Sequence, residues 1–342
     1  MTTNFCVMPF FGAEYRDSGF DTPCCLMEPS DRTITEIQQD MLDNRRPKEC
    51  SKCWRMEDSG LESDRQIKNQ AYDFYTDRDI RYIKEDCSKG LYSQQIVKLY
   101  TSNLCNSTCA TCNSSLSSAW AALNGTNINL RKIPESVLTQ IDFKNLKMLS
   151  FVGGEPLYEK LNFEILEQLA EVGNTNCYIS MVTNGSTKLN QRQLATLSKF
   201  KNLNFCLSID GIGPVFEYVR YPLKWDDLLD NLKLYRDLGI QLSVSYTISN
   251  LNVLYFKETI AWFESQGLQY INNVVYFPAH FHPSVLPDSV KQAHPELANF
   301  FNQPTDDFLI KQCIKELKFQ NSLKQIKIED YIPEFYSAIS QP

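Results

Sequence analysis

The chain has 342 residues, of which 43% are hydrophobic, which is enough for one large α/β domain and a smaller one. Its formal net charge is −7 and no basic stripe appears, which argues against DNA or tRNA as a partner. No stretch approaches the roughly 20 apolar residues of a membrane span, and the first residues lack the pattern of a signal peptide. We therefore expect a cytoplasmic protein with no membrane partner, in which those of the 12 cysteines that are clustered act as metal ligands rather than form disulfides.

The first 60 residues are rich in cysteine, and their apolar residues show little periodicity. The cysteines are Cys6, the adjacent pair Cys24 and Cys25, and the C-x2-C pair Cys50 and Cys53. Glycine and proline positions predict a hairpin over 10–24 with its turn at 16–19, and a helix over 34–42 follows. A bound metal would replace part of the missing core, and zinc and iron–sulfur both remain open because both use thiolate ligands.

Residues 61–95 predict one or two bridging helices, and from residue 96 strands alternate with helices. The predicted strands are 96–101, 148–152, 177–182, 204–209, 241–248 and 272–277. The predicted helices between them are 117–123, 162–172, 191–200, 226–238 and 254–266. This alternation is typical of βαβ units and a parallel sheet, whose functional side chains gather at the carboxyl ends of the strands. Residues 283–342 carry no cofactor signature and predict two more helices, 312–323 and 331–339.

A cysteine loop with the spacing C-x3-C-x2-C follows the first strand of the alternating region. Its members are Cys105, Cys109 and Cys112. Three thiolates can hold three irons of a [4Fe–4S] cube, and the fourth iron stays open to an exogenous ligand. The alternative is zinc, but structural zinc sites have four ligands, and the next candidates, Cys177 and His280, are far along the chain.

Residues suited to ligand binding follow the next three predicted strands. They are Gly153, Gly154 and Glu155 after the second strand, Asn184 after the third, and Ser208 and Asp210 at the fourth, with Arg220 further on. Glycines let a backbone approach a ligand, a carboxylate accepts hydrogen bonds from an ammonium group, and a guanidinium pairs with a carboxylate. Each motif alone is also a common turn, and a surface ion pair is the alternative interpretation of Arg220.

Taken in this order, these motifs resemble the radical S-adenosylmethionine (radical SAM) enzymes. The resemblance implies a partial (β/α)6 barrel and a [4Fe–4S] cluster on the cysteine loop, whose open iron chelates the amino and carboxylate groups of SAM. It further implies that Gly153, Gly154 and Glu155 hold the SAM amino group. The implied contacts to the SAM carboxylate and ribose are Ser208 and Asp210, with Asn184 nearby, while Arg220 would pair with a carboxylate of SAM or of the substrate.

The N-terminal cysteines resemble the twitch module, a shortened SPASM domain. That resemblance implies an auxiliary [4Fe–4S] cluster on Cys6, Cys24, Cys50 and Cys53, with Cys24 preferred over Cys25 by its spacing from Gly19. The implied division is a cysteine-rich cluster module at 1–90 with bridging helices, a radical SAM core at 91–282 and a helical extension at 283–342.

The implied activity is that of an oxidoreductase. A flavodoxin- or ferredoxin-like reductant supplies one electron, SAM is cleaved to methionine and a 5′-deoxyadenosyl radical, and the radical takes a hydrogen atom from a peptide or protein side chain. One alternative is the same chemistry on a sugar, nucleotide or other small metabolite, which a tight polar pocket would favour. A second alternative is a non-catalytic iron–sulfur or zinc protein. His280 and His282 follow the last strand and could titrate near a substrate, although a plain loop role is the simpler interpretation.

Overall fold

The computed structural model describes residues 4–128 and 130–340. Eight strands form a single sheet: β1 Gly12–Arg16, β2 Gly19–Thr22, β3 Ile96–Tyr100, β4 Met148–Val152, β5 Tyr178–Thr183, β6 Leu203–Ser208, β7 Gln241–Ile248 and β8 Gln269–Val274. Their order across the sheet is β2-β1-β3-β4-β5-β6-β7-β8. β1 and β2 pair antiparallel, and every pair from β1–β3 to β7–β8 is parallel. This is the α/β partial-barrel fold expected from the alternating pattern.

Fifteen α-helices occur among the described residues: α1 Met8–Phe11, α2 Ile34–Leu42, α3 Ser51–Asp58, α4 Asp64–Thr76, α5 Ile80–Ser88, α6 Ser118–Leu123, α7 Glu135–Leu138, α8 Lys160–Glu171, α9 Gln191–Leu197, α10 Pro214–Val219, α11 Trp225–Asp237, α12 Phe256–Ser265, α13 Asp288–Ala293, α14 Asp307–Lys324 and α15 Pro333–Ser340. Short 3-10 turns lie at Lys48–Cys50, Val253–Tyr255, Ala279–Phe281, Pro295–Phe300 and Ile328–Asp330. In the described ranges, no helix is long and apolar enough to cross a membrane.

The two faces of the sheet differ in polarity because side chains alternate along each strand. Leu99, Phe151 and Phe205 point outward and are buried in the main core beneath the helices. Tyr100 and Val152, one residue further on in β3 and β4, line a central cavity instead. The sheet therefore buries its outer face against helices and keeps its inner face for a ligand.

The N-terminal hairpin belongs to this sheet rather than to a separate layer. Ala13 of β1 is aligned with Val97 of β3, and Ala13 and Tyr15 are both buried in the main core. The rest of the N-terminal segment packs around a second core, with members that include Phe5, Phe11, Met41, Trp54, Tyr72, Ile83 and Cys87. The sequence pattern did not reveal this second core because its aromatic residues come from distant turns and helices.

Most predicted elements occur at the predicted places, and the last strand is the clearest displacement. β8 covers 269–274 rather than 272–277, because it starts directly after the turn at Gly267, whose φ is +63°, and pairs with β7 from Gln269 onward. The predicted helix over 34–42 is α2, and Thr33 caps it by accepting a hydrogen bond from the backbone N–H of Glu36. The division at 1–90, 91–282 and 283–342 stays a prediction.

Candidate functional site

A cavity of about 490 Å³ lies where the carboxyl ends of β3 to β7 meet. All ten residues that the sequence motifs predicted for this site line it: Cys105, Cys109, Cys112, Gly153, Gly154, Glu155, Asn184, Ser208, Asp210 and Arg220. They come from loops that are up to 115 residues apart in the sequence (220 − 105), and the parallel sheet brings them to one edge.

The cysteine loop is anchored by hydrogen bonds that leave its thiols facing the cavity. The hydroxyl of Ser107 lies 3.3 Å from the Sγ atoms of both Cys105 and Cys109. On the other side, the indole N–H of Trp120 donates to the carbonyl of Cys109 at 2.9 Å, and the backbone N–H of Thr108 donates to the carbonyl of Tyr221 at 2.6 Å. The loop is thereby held between α6 and the segment that follows α10.

The three thiols of the loop lie in a largely desolvated environment. Burial raises the pKa of Cys112 to about 12 and also raises the pKa of Cys105. The raised pKa of Cys105 and Cys112 favours their protonated thiols, so binding of iron must displace these protons. Within residues 4–128 and 130–340, no group of three or more His, Cys, Asp and Glu side chains could hold a metal ion. A [4Fe–4S] cube differs from such a site because each thiolate binds a different iron.

The two glycines after β4 allow their loop to pack directly on the cysteine loop. The backbone N–H groups of Gly154 and Glu155 donate to the carbonyls of Ser102 at 2.9 Å and Leu104 at 2.8 Å. A Cβ on Gly154 would lie 2.1 Å from the carbonyl oxygen of Leu104, which is far inside any tolerable contact. The close contact between the two backbones is therefore enough to explain glycine at this position. The sequence suggested a second reason, which is that glycine lets a ligand approach the backbone.

The carboxylate of Glu155 is buried and its hydrogen bonds lie within the protein. It accepts from the hydroxyl of Thr183 at 2.5 Å, from the backbone N–H of Asn184 at 2.7 Å and from that of Leu157 at 3.0 Å. Burial raises the pKa of Glu155, and these donors oppose that rise because they stabilise the ionised form. In this arrangement the side chain joins the loops after β4 and β5.

Asp210 and Arg220 form a buried ion pair at the opposite wall of the cavity. Their closest N–O distance is 2.7 Å, and Asp210 also accepts from the backbone N–H of Thr247 at 2.9 Å. Arg220 places Nη1 3.9 Å from the Sγ of Cys109, and its Nε is buried with no hydrogen-bond partner in the described chain. A buried, unpartnered donor beside the thiols suits an anionic group bound in the cavity.

Asn184 lines the cavity, whereas the two histidines that follow β8 do not appear among its described lining residues. The amide of Asn184 donates to the side-chain oxygen of Asn106 at 2.8 Å, which ties the end of β5 to the cysteine loop. His280 and His282 are absent from the described lining of the cavity, and burial lowers the pKa of both rings. His282 instead accepts the backbone N–H of Ser284 at its Nδ1, at 3.1 Å.

The N-terminal cysteines meet at a second, much smaller cavity of about 20 Å³. The four that the sequence grouped together, Cys6, Cys24, Cys50 and Cys53, all line it, beside Asp64 and Arg65. Burial raises the pKa of Cys50 to about 12 and raises the pKa of Cys6 and Cys53. Cys25 faces a separate cavity of about 420 Å³, which it shares with Arg16.

Several cavity residues were not identified from the sequence. Arg16 is the last residue of β1, Asp17 lies in the turn before β2, and Arg131 comes from a loop without a motif. The guanidinium of Arg16 lies 3.6 Å from the centre of the Tyr100 ring. Arg16 could have been predicted as a cavity residue only by knowing that β1 pairs with β3. No pattern in the sequence points to Arg131.

One family model matches part of the chain. Residues 99–263 match the sequence model of the Radical SAM superfamily. No curated protein matches the chain.

Solved structures offer distant similarities. Native anSMEcpe with bound AdoMet and the Kp18Cys peptide is 20% identical, with 53% of this chain and 52% of that chain covered and a TM-score of 0.40. Streptococcus suis SuiB bound to the precursor peptide SuiA is 12% identical, with 95% and 73% covered and a TM-score of 0.41. TsrM from Kitasatospora setae, with cobalamin and a [4Fe–4S] cluster bound, is 11% identical, with 52% and 36% covered and a TM-score of 0.37. The chain spans about half the length of the first of these proteins.

Proposed function

Because residues 99–263 match a radical SAM domain, we propose that this protein is a radical SAM oxidoreductase that acts on a peptide or protein side chain. The observation that carries the proposal is a single cavity lined by three loop thiols and by the polar ends of the neighbouring strands. When bound, a [4Fe–4S] cluster supplies the electron that cleaves SAM to methionine and the 5′-deoxyadenosyl radical, which takes a hydrogen atom from the substrate.

The residues of the cavity fit these cofactors. Cys105, Cys109 and Cys112 would hold the cluster, since three thiols open to one cavity leave room for an exogenous ligand at the fourth iron. The buried, unpartnered Nε of Arg220 suits the carboxylate of SAM. In this proposal Glu155 holds in place the loops that would contact SAM, because its carboxylate already accepts hydrogen bonds from Thr183 and Asn184.

A polypeptide substrate is supported by the open inner face of the last two strands. Thr247 of β7 lines the cavity and is aligned with Asn273 of β8. Ile271 lies two residues before Asn273, so its side chain is on the same face of the sheet. Ile271 is 65% exposed, and Tyr276 and Phe277, just beyond β8, are 64% and 85% exposed. Apolar side chains left uncovered beside a cavity suit an extended chain better than a fully enclosed metabolite.

The second candidate substrate is a small anionic metabolite. Arg16 and Arg131 both line the cavity, and an aromatic mouth without basic residues was the pattern expected for a peptide. Two arginines could bind a carboxylate or phosphate of a sugar or nucleotide. This candidate keeps the same radical chemistry and changes the substrate alone.

We further propose that Cys6, Cys24, Cys50 and Cys53 hold an auxiliary [4Fe–4S] cluster. The support is that all four thiols line one small cavity, whereas Cys25 faces the neighbouring one. A four-cysteine zinc site uses the same ligands, so metal analysis of the purified protein distinguishes the two. We expect acid-labile sulfide and about eight irons per chain, four for each cluster, and a zinc-only protein would contradict this assignment.

The activity test uses the whole chain reconstituted with iron and sulfide under anaerobic conditions. With SAM and either dithionite or a flavodoxin or ferredoxin as reductant, we expect 5′-deoxyadenosine and methionine in equal amounts. A control variant is Cys177→Ala, which should form as much 5′-deoxyadenosine as the unchanged protein. Cys177 directly precedes β5, is buried, and is not among the described residues that line either cysteine cavity. A reconstituted, reducible protein that forms no 5′-deoxyadenosine would favour a non-catalytic binding protein.

A further inference from the structure

A lysine of the long helix α14 lies next to the two residues that flank the cysteine loop. Lys324 is the last residue of α14, which lies outside the region that matches the family, and the side chain is buried. Its ammonium group lies 4.7 Å from the centre of the Trp120 ring and 5.7 Å from that of Tyr221. These are the two side chains that flank the loop, since Trp120 donates to the carbonyl of Cys109 and the carbonyl of Tyr221 accepts from Thr108.

Helix α14 is attached to the same loop by hydrogen bonds. The amide of Gln320 donates to the carbonyl of Ala110 at 2.9 Å, between Cys109 and Cys112. The ammonium of Lys324 donates to the side-chain oxygen of Gln320 at 3.1 Å, and the hydroxyl of Tyr221 donates to the carbonyl of Lys324 at 3.2 Å. The position of the ammonium relative to the loop is therefore fixed from both ends.

The charge of Lys324 is not neutralised by an ion pair within the described residues, unlike that of Arg220. Arg220 is paired with Asp210 at 2.7 Å, whereas the hydrogen-bond acceptor of Lys324 is the neutral amide of Gln320. Burial lowers the pKa of Lys324 to about 8, and Cys109, Glu316 and Cys112, when ionised, oppose that fall, so the ammonium keeps its charge at neutral pH. Glu316 accepts from Gln320 at 3.0 Å, so its carboxylate is already partly engaged.

We propose that Lys324 is a positioning residue whose buried positive charge makes the cluster on Cys105, Cys109 and Cys112 easier to reduce. This inference rests on the proposed function, because it needs a cluster on the loop. Reduction adds one electron to the cluster and breaks no bond to the protein, so the site becomes more negative by one charge. A fixed cation in a poorly solvated position stabilises the reduced form more than the oxidised form, which raises the reduction potential.

The test is a redox titration of the reconstituted whole chain, followed by electron paramagnetic resonance. The signal to follow is the one that SAM addition alters, which separates the loop cluster from an auxiliary one. In Lys324→Met, we expect the ratio of reduced to oxidised cluster at a fixed potential to fall by about tenfold, which is about 59 mV for one electron. Lys324→Arg should keep the potential of the unchanged protein, because it keeps the charge.

The matched control is Lys318→Met, which removes an exposed lysine from the same helix and should leave the potential unchanged. Lys324→Gln provides a second neutral variant in case methionine disturbs folding, and thermal unfolding of the metal-free proteins checks that both fold. Equal potentials in Lys324→Met, Lys324→Gln and Lys318→Met would overturn this inference and leave the proposed function standing. If Lys324→Arg lowers the reduction potential as much as the neutral variants do, the effect comes from packing, and this result too would overturn the inference. An unchanged protein that binds no cluster would overturn both.

Discussion

Glu155 illustrates how one side chain can join two loops of a site. Its carboxylate accepts hydrogen bonds from Thr183, Asn184 and Leu157, so it joins the loops after β4 and β5 at the cavity wall. The sequence motif suggested direct contact with an ammonium group through this carboxylate. In the structure three donors within the protein already bind this carboxylate, which also lines the cavity, so its direct contact with SAM stays a prediction.

We predict that Glu155→Gln lowers the free energy of unfolding by about 1–3 kcal/mol, because an amide N–H₂ replaces one acceptor and faces buried donors. The affinity for SAM should fall together with the stability, since the same loops form the cavity. Urea denaturation and equilibrium binding of SAM measure the two effects. The control is Glu171→Gln at the exposed end of α8, which should change neither. A variant with full stability and weakened SAM binding would point instead to direct contact.

At the scale of elements, β1 is the strand that joins the N-terminal segment to the barrel. Ala13 and Tyr15 lie in the main core, and Tyr15 also donates its hydroxyl to Gln94 at 2.6 Å. The turn after β1 lines the main cavity, and Cys24, shortly after β2, lines the small one. The hairpin therefore couples the geometry of both cysteine sites.

We predict that Tyr15→Ala destabilises the barrel as a whole, by about 3–5 kcal/mol, as is usual when a large buried aromatic side chain is removed. Tyr15→Phe should cost only about 1 kcal/mol, for the lost hydrogen bond. Urea unfolding followed by tryptophan fluorescence reports on the barrel, because Trp120, Trp225 and Trp262 lie in its helices. Tyr82→Ala on the exposed face of α5 serves as the control. A loss confined to the N-terminal segment would contradict this role for β1.

At the scale of the whole molecule, a row of charged and aromatic residues on β1 and β3 borders the main cavity. Lys98 of β3 pairs with Glu14 of β1 at 2.8 Å, and Arg16 stacks on Tyr100 two residues further along both strands. Arg16 lines both the main cavity and the cavity that contains Cys25. This arrangement is consistent with separate tasks for the two groups of thiols in a single reaction.

We predict that the two groups of cysteines can be separated by mutation. Cys105→Ala should remove about four irons per chain and abolish formation of 5′-deoxyadenosine. Cys53→Ala should also remove about four irons, but it should leave some SAM cleavage that no longer yields modified substrate. Iron analysis and chromatography of the nucleoside product measure both. Cys25→Ala is the control for Cys53→Ala, because Cys25 faces the neighbouring cavity and its loss should leave the iron content unchanged. Identical behaviour of Cys105→Ala and Cys53→Ala would contradict the division of tasks.

The sequence by itself determined the alternation of strands and helices and ten of the residues that line the main cavity. Both follow from local information, since strand and helix periods are short and the carboxyl ends of parallel strands always meet at one edge. Cys105, Glu155 and Asp210 could be placed together without coordinates because each follows a recognisable strand. The resemblance to the twitch module grouped Cys6, Cys24, Cys50 and Cys53, which line one small cavity.

Only the tertiary structure decided how distant segments contact one another. The pairing of β1 with β3, the second core and the approach of Lys324 to the cysteine loop depend on contacts over tens to hundreds of residues, for which no local period exists. The engagement of the Glu155 carboxylate is of the same kind, because its partners follow a different strand. The chemistry of a side chain follows from its residue type, whereas its hydrogen-bond and ion-pair partners depend on how the chain packs.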